Sequence, residues 1–254
     1  LKMTDKLTLL QYDPNPTAMV GPDVDGRFTV PAKLLYIFSG DDYFQQFVTR
    51  YHGHRLGQFN TITKVSWVYQ IGYRGQKLAV AQAPLGSPAA TMYLEMLIDF
   101  GARTVIAVGS CGALTALPEE QLLIPTVALR DEGTSFHYLA AADWVPLDPK
   151  VIQVLGTTLT KACLPWQMVK TWTTDAFFRE TVSKVKAARQ QGCQVVEMEC
   201  SALAACSAFR QVSFGQLLYT ADTLAQLEHY DPRHLGAGGV LVAIELATES
   251  LAAY

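Results

Sequence analysis

The sequence lacks most of the short patterns that identify an enzyme chemistry directly. It contains no HExxH, GxSxG or Walker-type loop, and its five histidines show no metal-ligand spacing. Its five cysteines are an odd number without a CxxC pair, which indicates reduced thiols in a cytoplasmic protein rather than a disulfide framework or a zinc site. We therefore predict a cytoplasmic location and no bound metal.

Long apolar runs and clusters of one charge are also missing. No apolar run is long enough to span a bilayer, and residues 1–16 are too polar for a signal peptide. The formal net charge is -3 without any Lys/Arg-rich run, so we expect neither a nucleic acid nor a membrane surface as partner. The 254 residues are 50% apolar and 17% charged, which argues against disorder and allows a sizeable core.

Apolar runs alternate with helical patterns along most of the chain, which predicts an α/β fold. The later alternation of strand and helix implies parallel crossovers, whereas the segment YRGQK (73–77) predicts a hairpin turn between antiparallel strands. Together these patterns predict a mixed sheet with helices on both faces. The chain has no internal repeat, low-complexity tract or linker, so residues 1–254 are predicted to form a single domain.

The periodicity places these elements along the chain. Strands are predicted at 34–38, 64–73, 77–82, 104–109, 122–129, 167–174, 194–199 and 214–221, and helices at 88–100, about 148–163, 179–190, 200–210 and 233–252. The first of these helices has the clearest ends, because Ser87 is suited to cap it, Pro88 to begin it and Gly101 to end it.

Ligands of such a sheet gather where the strands end. Five predicted strand ends carry polar or glycine-rich residues, at 38–42, 108–114, 173–180, 196–201 and 219–224. The turn GSCGAL in the second of these resembles an anion site, since glycines let the backbone approach closely and Ser110 adds a hydroxyl donor. A turn that only reverses the chain is the alternative.

Two glutamates lie in a run that otherwise reads as buried strand and buried helix, QVVEMECSALAACSAF (194–209). An ionised carboxylate in such surroundings is costly unless it is paired or hydrogen-bonded. Glu199 would either cap the helix that follows or accept the vicinal hydroxyls of a sugar. Glu197 shares its side-chain direction if the strand persists, and Met198 reaches the same pocket only if the strand ends there.

The other candidate side chains also have two interpretations each. Asp222 could protonate or hydrogen-bond a leaving group, or it could bond its own backbone in a turn. Phe177 could stack on a planar ring or fill the core. Arg179 could bind an anion or pair with Glu180 or another acid.

Five stretches, taken in order, resemble the nucleoside phosphorylase-I family of purine and uridine phosphorylases. They are VIAVGSCGAL, ALRDEGTSFHY, TWTTDAFFRET, VVEMECSALAA and LLYTADTL, and the likeness runs from about Leu34 to Leu224. It is closest to the uridine-phosphorylase-like branch, whose members share the R-x-E-G-x-S-x-H-Y and V-E-M-E stretches. The resemblance implies a three-layer α/β/α sandwich with a mixed central sheet.

The resemblance also implies a reaction, which is cleavage of a nucleoside N-glycosidic bond by inorganic phosphate without any other cofactor. The second glutamate of the family's EME stretch holds the ribose hydroxyls. Glu199 takes that place, with Met198 under the sugar and Glu197 near the base.

Three further residues correspond to the base site of the family. Asp222 stands where purine-cleaving relatives carry the aspartate that supports protonation of the base, which favours a purine-like base. Phe177 matches the aromatic residue that packs on the base. Arg179 stands near the pair that reads uracil in uridine phosphorylases.

The phosphate site departs from the family pattern. Family members bind phosphate through three arginines, and here Phe44 and Ala107 occupy the first two positions while Lys64 lies near the third. Lysine lacks the planar, bidentate fork of arginine and replaces it only in part. Gly40 and Ser110 remain as candidate phosphate donors.

Three functions remain open from the sequence. The first is a nucleoside phosphorylase with an altered phosphate site, and the second is a nucleosidase that uses water instead. The third is a ligand-binding or storage protein on the same fold, which the presence of both Glu199 and Asp222 argues against. The family completes each site with a neighbour's residues, although its N-terminal histidine has no counterpart here, so we expect a homo-oligomer, either a dimer or a hexamer built as a trimer of dimers.

Overall fold

The computed structural model describes residues 7–22 and 27–254 of the chain. The start of the segment judged too polar for a signal peptide, residues 1–6, therefore lies outside the described residues, as does part of the predicted domain 1–254. Across the described ranges, none of the helices combines the length and the apolar character that crossing a membrane requires. The single-domain interpretation stays a prediction.

In the described residues, ten strands form one sheet, and it is mixed, as the sequence predicts. They are β1 (Lys33–Ile37), β2 (His54–Asn60), β3 (Val65–Tyr73), β4 (Gln76–Gln82), β5 (Thr104–Ala113), β6 (Leu122–Asp131), β7 (Trp144–Pro146), β8 (Trp166–Thr174), β9 (Val195–Glu197) and β10 (Ser213–Thr223). The order is β10-β6-β8-β9-β5-β1-β4-β3-β2, with β7 beside β6. Because β10 also pairs with β5, five of these strands close into a ring.

Within residues 7–22 and 27–254, six α-helices pack around the sheet. They are α1 (Asp41–Arg50), α2 (Ser87–Asp99), α3 (Pro149–Lys161), α4 (Val182–Gln190), α5 (Cys200–Phe209) and α6 (Gly239–Ala253). Short 3-10 turns lie at Thr8–Leu10, Thr134–His137 and Phe177–Arg179. The mixed α/β architecture expected from the sequence is confirmed.

The centre of the sheet explains why the strand predictions succeed. All four residues from Leu34 to Ile37 in β1 are fully buried, since β1 lies between β4 and β5 in parallel register. A strand covered on both faces reads as a continuous apolar run. The predicted hairpin is confirmed as the antiparallel pair β3–β4, and its turn takes positive φ at Arg74 and Gly75.

Helix α1 was not predicted, because the segment SGDD at its start reads as a turn. The helix begins after Gly40 with Asp41 and Asp42 in its first turn, where acidic side chains interact favourably with the helix dipole. Phe44 and Phe47 lie one turn apart on its buried face. The edge strand β2 and the short β7 were also missed.

Two predicted helix starts are wrong by a few residues. Helix α6 begins at Gly239 rather than 233, because positive φ angles at Arg233, Leu235 and Gly236 hold the preceding segment in turns. Helix α4 begins after Thr181, whose hydroxyl accepts the Lys184 N–H.

Helix α2 starts after Gly86 rather than after the predicted cap. Ser87 lies inside the helix, and its hydroxyl donates to the Met198 carbonyl at 2.6 Å. This bond ties the start of α2 to the β9–α5 junction, so the serine that was expected to cap a helix fixes a loop instead.

Candidate functional site

One cavity of about 690 Å³ collects the polar strand ends that the sequence analysis singled out. It is lined by Phe38, Leu85, Gly109, Ser110, Cys111, Gly112, Asp175, Ala176, Phe177, Phe178, Arg179, Glu180, Val196, Glu197, Met198, Glu199, Gln216 and Asp222. Strands β8 and β9 run antiparallel to β5, since β9 is parallel to β8 and antiparallel to β5. The segments still meet, because β9 pairs with the last residues of β5 and of β8.

Glu197 is the better satisfied of the two buried glutamates. Its Oε1 accepts hydroxyl hydrogen bonds from Thr171 at 3.2 Å and Thr173 at 2.6 Å. Its Oε2 accepts the backbone N–H groups of Glu199 at 2.8 Å and Cys200 at 2.6 Å, which are free at the start of α5. Burial raises the pKa of Glu197, and these four hydrogen bonds oppose that rise. Glu197 therefore caps α5, a role that the sequence analysis did not assign to it.

Glu199 is equally buried but has far fewer partners. It is 5% exposed, against 7% for Glu197, and among the described residues its carboxylate accepts the Gly86 N–H to Oε1 at 2.6 Å and a further backbone interaction from Met198. Burial, and next the negative charge of Glu197, raise the pKa of Glu199 to about 8. Gly86 has a φ of 91°, a conformation that favours glycine. The chain thus holds an under-satisfied carboxylate at the cavity wall.

The end of β9 decides where Met198 points. The strand stops at Glu197, and Met198 and Glu199 both line the cavity. In a continuing strand these two neighbouring side chains would point to opposite faces of the sheet. The stretch RDEGTSFHY also stabilises the β9–α5 junction through hydrogen bonds. Glu132 accepts the Ser201 hydroxyl at 2.8 Å and the Ser135 N–H at 2.9 Å, and so connects α5 to the loop after β6.

Asp222 lies near the end of β10 and faces the same cavity. It is 8% exposed, and its Oδ2 has no hydrogen-bond partner among the described residues. Burial raises its pKa despite hydrogen bonds from its own backbone and the Tyr230 hydroxyl and the nearby charge of Arg233. A buried acceptor without a partner is costly, so this oxygen is a candidate contact for a ligand.

The sequence analysis did not identify Glu180 as a site residue. It lines the cavity, and burial and the negative charge of Asp222 raise its pKa to about 7. No ion pair joins it to Arg179 in the part of the chain that the structure describes, although that pairing was one sequence-based alternative. In the sequence, Glu180 is marked only by its position in a polar strand end. Its raised pKa depends in part on the charge of Asp222, which is 42 residues away in sequence and becomes a neighbour only in the fold.

Phe177 and Arg179 lie where the sequence placed them, at the cavity wall after β8. The Phe177 ring is 44% exposed and packs edge-on against Phe178 with centroids 5.2 Å apart. Phe178 is 93% exposed, and Arg179 is also exposed. The aromatic pair therefore offers uncovered ring faces at the cavity.

The candidate phosphate residues do not come together. Ser110 lines the cavity, but Gly40 is exposed and lies outside its lining. Lys64 is half exposed, and its Nζ lies 3.9 Å from Asp41 Oδ1. Phe44 packs edge-on against Tyr69 in the core, and Ala107 is fully buried. The two positions compared with arginines are therefore filled by apolar packing.

The geometry combines an under-satisfied carboxylate, an unpaired aspartate oxygen and an aromatic wall in one cavity. In the described ranges 7–22 and 27–254, no cluster of three His, Cys, Asp or Glu side chains is arranged to hold a metal ion. The arrangement suits a ligand with hydroxyl groups near Glu199 and a planar polar ring near Phe177 and Asp222.

Comparison with known proteins identifies the family. The family model described as "Phosphorylase superfamily" matches residues 36–247. Among curated proteins, the chain is 25% identical over 181 residues to the DeoD-type purine nucleoside phosphorylase of Alkaliphilus metalliredigens, which covers 69% of this chain and 78% of that protein. A DeoD-type enzyme of Shewanella oneidensis is 27% identical over 164 residues, covering 62% of this chain and 68% of its own length.

Solved structures share the fold at lower identity. The purine nucleoside phosphorylase of Toxoplasma gondii in complex with immucillin-H matches with a TM-score of 0.76 at 18% identity, covering 87% of this chain and 90% of that one. The uridine phosphorylase of Vibrio fischeri matches with a TM-score of 0.77 at 21% identity, covering 89% and 93%. The chain belongs to the phosphorylase superfamily, as its five sequence motifs indicated.

Proposed function

We propose that this member of the phosphorylase superfamily cleaves the N-glycosidic bond of a nucleoside by phosphorolysis, giving a free base and ribose 1-phosphate. The observation that carries the proposal is the contrast between Glu197 and Glu199. The first accepts hydrogen bonds from four donors that include two hydroxyl groups, while the second faces the cavity with backbone donors only, from Gly86 and Met198. An under-satisfied carboxylate is suited to accept ribose hydroxyls and to favour the positive charge that develops on the sugar.

In this proposal the other lining residues act on the base and the phosphate. Asp222 hydrogen-bonds or protonates the departing base, and burial raises its pKa in the direction that a proton donor needs. Phe177 packs on the base, and Met198 packs under the sugar. Ser110 contributes to an anion site that lacks arginines at positions 44 and 107.

Hydrolysis is the second candidate, because the cavity offers phosphate little positive charge. Among the described residues, five carboxyl side chains line it against the single guanidinium of Arg179. Each lost charge-assisted contact is worth roughly 1.5–3 kcal/mol, so two lost arginines would weaken phosphate binding by about two to four orders of magnitude. We expect a high apparent KM for phosphate or reaction with water alone.

A nucleoside panel assayed with and without phosphate tests the proposal. Free base is measured by chromatography, and the sugar product distinguishes ribose 1-phosphate from ribose. Cleavage that is strictly dependent on phosphate and saturates at low micromolar phosphate would contradict the weak anion site. A complete absence of cleavage across purine and pyrimidine nucleosides would contradict the proposed activity.

The proposal includes an assembly and a location. We infer a homo-oligomer, a dimer or a trimer of dimers, since members of the family complete the site with a neighbour's residues. We also infer a cytoplasmic enzyme without a metal or an organic cofactor. Sedimentation that gives only monomer at micromolar concentration would contradict the assembly.

A further inference from the structure

We propose that Gln216 binds the attacking oxygen of the reaction, and that its neutral amide sets the affinity of the cavity for phosphate. This inference rests on the proposed function, because it names a specificity-determining residue of the same site. The observation behind it is a buried amide oxygen of Gln216 that has no hydrogen-bond partner among the described residues.

Gln216 is almost completely buried and still reaches the cavity. The residue lies in β10, is 1% exposed and lines the cavity wall. Its side-chain Oε1 is the atom without a partner. An unpaired buried polar group lowers stability, so proteins rarely keep one unless something else satisfies it. A ligand atom in the cavity is suited to satisfy this amide.

The neighbouring strands give Gln216 no side-chain partner in its row of the sheet. In parallel register, Gln216 of β10 lies beside Ala107 of β5, and Ala107 lies beside Tyr36 of β1. Ala107 has no hydrogen-bonding side chain, and the Tyr36 hydroxyl already donates to the Ala90 carbonyl at 2.8 Å. The amide is therefore left to the contents of the cavity.

Gln216 and Asp222 contact different parts of a ligand. They are six residues apart in β10, which is up to about 20 Å along an extended strand. Ser110 lies between them in the sheet, since it is in register with Tyr219 of β10. Asp222 is assigned to the base in the proposed function, so a hydroxyl and an amide remain for the end of the cavity away from the base.

A neutral amide binds water and phosphate differently. Its NH2 group donates and its carbonyl oxygen accepts, so in either orientation it can hydrogen-bond a water molecule. Phosphate oxygens mainly accept, and a neutral donor binds them less strongly than a guanidinium, which brings charge and two parallel donors. Arg179 is exposed, and the charge of Arg233 acts on Asp222 at the other end. We therefore expect weak phosphate binding at Gln216, with water as a competing nucleophile.

The first experiment adds a positive charge at Gln216. Gln216→Arg should lower the apparent KM for phosphate at least about tenfold, equivalent to about 1.4 kcal/mol, because a guanidinium then faces the anion. Gln153→Arg adds the same charge at an exposed position of α3 and is the matched control, with an unchanged KM. Thermal melting shows whether both variants are folded. A folded Gln216→Arg variant with the wild-type KM would overturn the proposal.

The second experiment removes the amide and decides the question if Gln216→Arg does not fold. Gln216→Leu should lower kcat/KM for phosphate at least about fivefold, and the rate measured without phosphate should fall by a similar factor if water is the nucleophile. Ribose 1-phosphate and ribose, measured separately, distinguish the two nucleophiles. The melting temperature should stay equal or rise, because leucine replaces an unpartnered buried amide. A lower melting temperature with unchanged rates would show a purely structural role and refute the proposal.

Binding of phosphate alone separates this inference from the proposed activity. The rise in melting temperature with phosphate, compared with chloride at equal ionic strength, measures affinity without turnover. Tighter phosphate binding in Gln216→Arg, without cleavage of any nucleoside by any variant, would contradict the proposed function and support the role of Gln216. Cleavage of nucleosides with phosphate affinity and rates unchanged in both Gln216 variants would support the function and overturn the inference.

Discussion

The β9–α5 and β1–α1 junctions both join a strand to a helix, but different interactions stabilise them. At the β9–α5 junction, the Glu197 carboxylate caps the helix and leaves Glu199 facing the cavity. At the β1–α1 junction, Gly40 provides no side-chain cap, Asp41 and Asp42 begin the helix, and Phe44 packs into the core. The first junction is built from buried polar contacts and the second from apolar packing.

The difference between the two junctions lies in where buried charged side chains are found. A buried carboxylate persists only when other groups support it, and at β9–α5 hydroxyl and backbone donors from β8 and α5 do so. At β1–α1 the position compared with a phosphate-binding arginine is filled by a ring against Tyr69. The β9–α5 junction therefore holds buried polar groups at the cavity, while the β1–α1 junction serves mainly stability.

Truncation of Phe44, at the apolar β1–α1 junction, should have the largest effect on the free energy of unfolding. Phe44 is 2% exposed, so Phe44→Ala removes a buried ring and should lower the free energy of unfolding by about 3–5 kcal/mol. The phosphate dependence of any remaining activity should not change. Urea unfolding measures the first and phosphate titration the second. A stable variant with altered phosphate KM would show that Phe44 belongs to the anion site.

On the polar side, Glu199→Gln should separate activity from folding. Above pH 8, where Glu199 is ionised, the amide keeps the size of the carboxylate and loses its charge, so we expect a loss of roughly 100-fold or more in kcat, the scale of one electrostatic contact to a transition state. Circular dichroism should show an unchanged fold. Wild-type turnover in this variant would remove Glu199 from the mechanism.

Glu197→Gln should produce the opposite pattern at the same junction. The amide has a single acceptor oxygen, so in either orientation its NH2 group faces donors, the backbone N–H groups of Glu199 and Cys200 or the threonine hydroxyls, and the free energy of unfolding should fall by about 2–3 kcal/mol. Urea denaturation measures this loss, with Glu228→Gln as a surface control. If Glu197→Gln unfolds like the control, the capping role of Glu197 is wrong.

The dependence of stability on pH distinguishes the two glutamates further. The pKa of Glu199 is raised to about 8, so the folded state keeps a proton that the unfolded state releases above about 4.5. This contribution to stability is fully present below the unfolded pKa and is lost as the pH rises through the folded pKa. Between pH 5 and pH 8 the wild type should therefore lose more unfolding free energy than Glu199→Gln, by on the order of 2 kcal/mol. Parallel pH profiles would show that the Glu199 carboxyl ionises normally.

The smallest effect on stability is expected for Lys64, which contacts Asp41 at the start of α1. Its side chain is 53% exposed and its contact with Asp41 is a surface ion pair, so Lys64→Ala should change the free energy of unfolding by less than about 0.5 kcal/mol. The KM for phosphate should stay within about threefold of the wild type. A much larger rise in KM would place Lys64 at the anion site of the working assembly.

Some elements of the fold can be predicted from the sequence and others cannot. Strands β1 and β5 and the β3–β4 hairpin are predictable, because burial on both faces and a glycine turn leave local patterns. Helix α1 is not predictable in the same way, since its acidic first turn resembles a loop and only the packing of Phe44 and Phe47 against the core identifies the helix. The exposed edge strand β2 has no clear alternation of apolar and polar residues.

The candidate site divides in the same way. The sequence by itself determined the family, through five ordered motifs, and it identified Glu199, Met198 and Asp222, which line one cavity in the structure. Only the tertiary structure decided that Glu197 is saturated, that Glu180 lies beside Asp222, and that Lys64 stays outside the cavity lining. A motif records which side chains are available, but burial, hydrogen bonding and charge repulsion depend on groups that are distant in sequence and meet only in the folded chain.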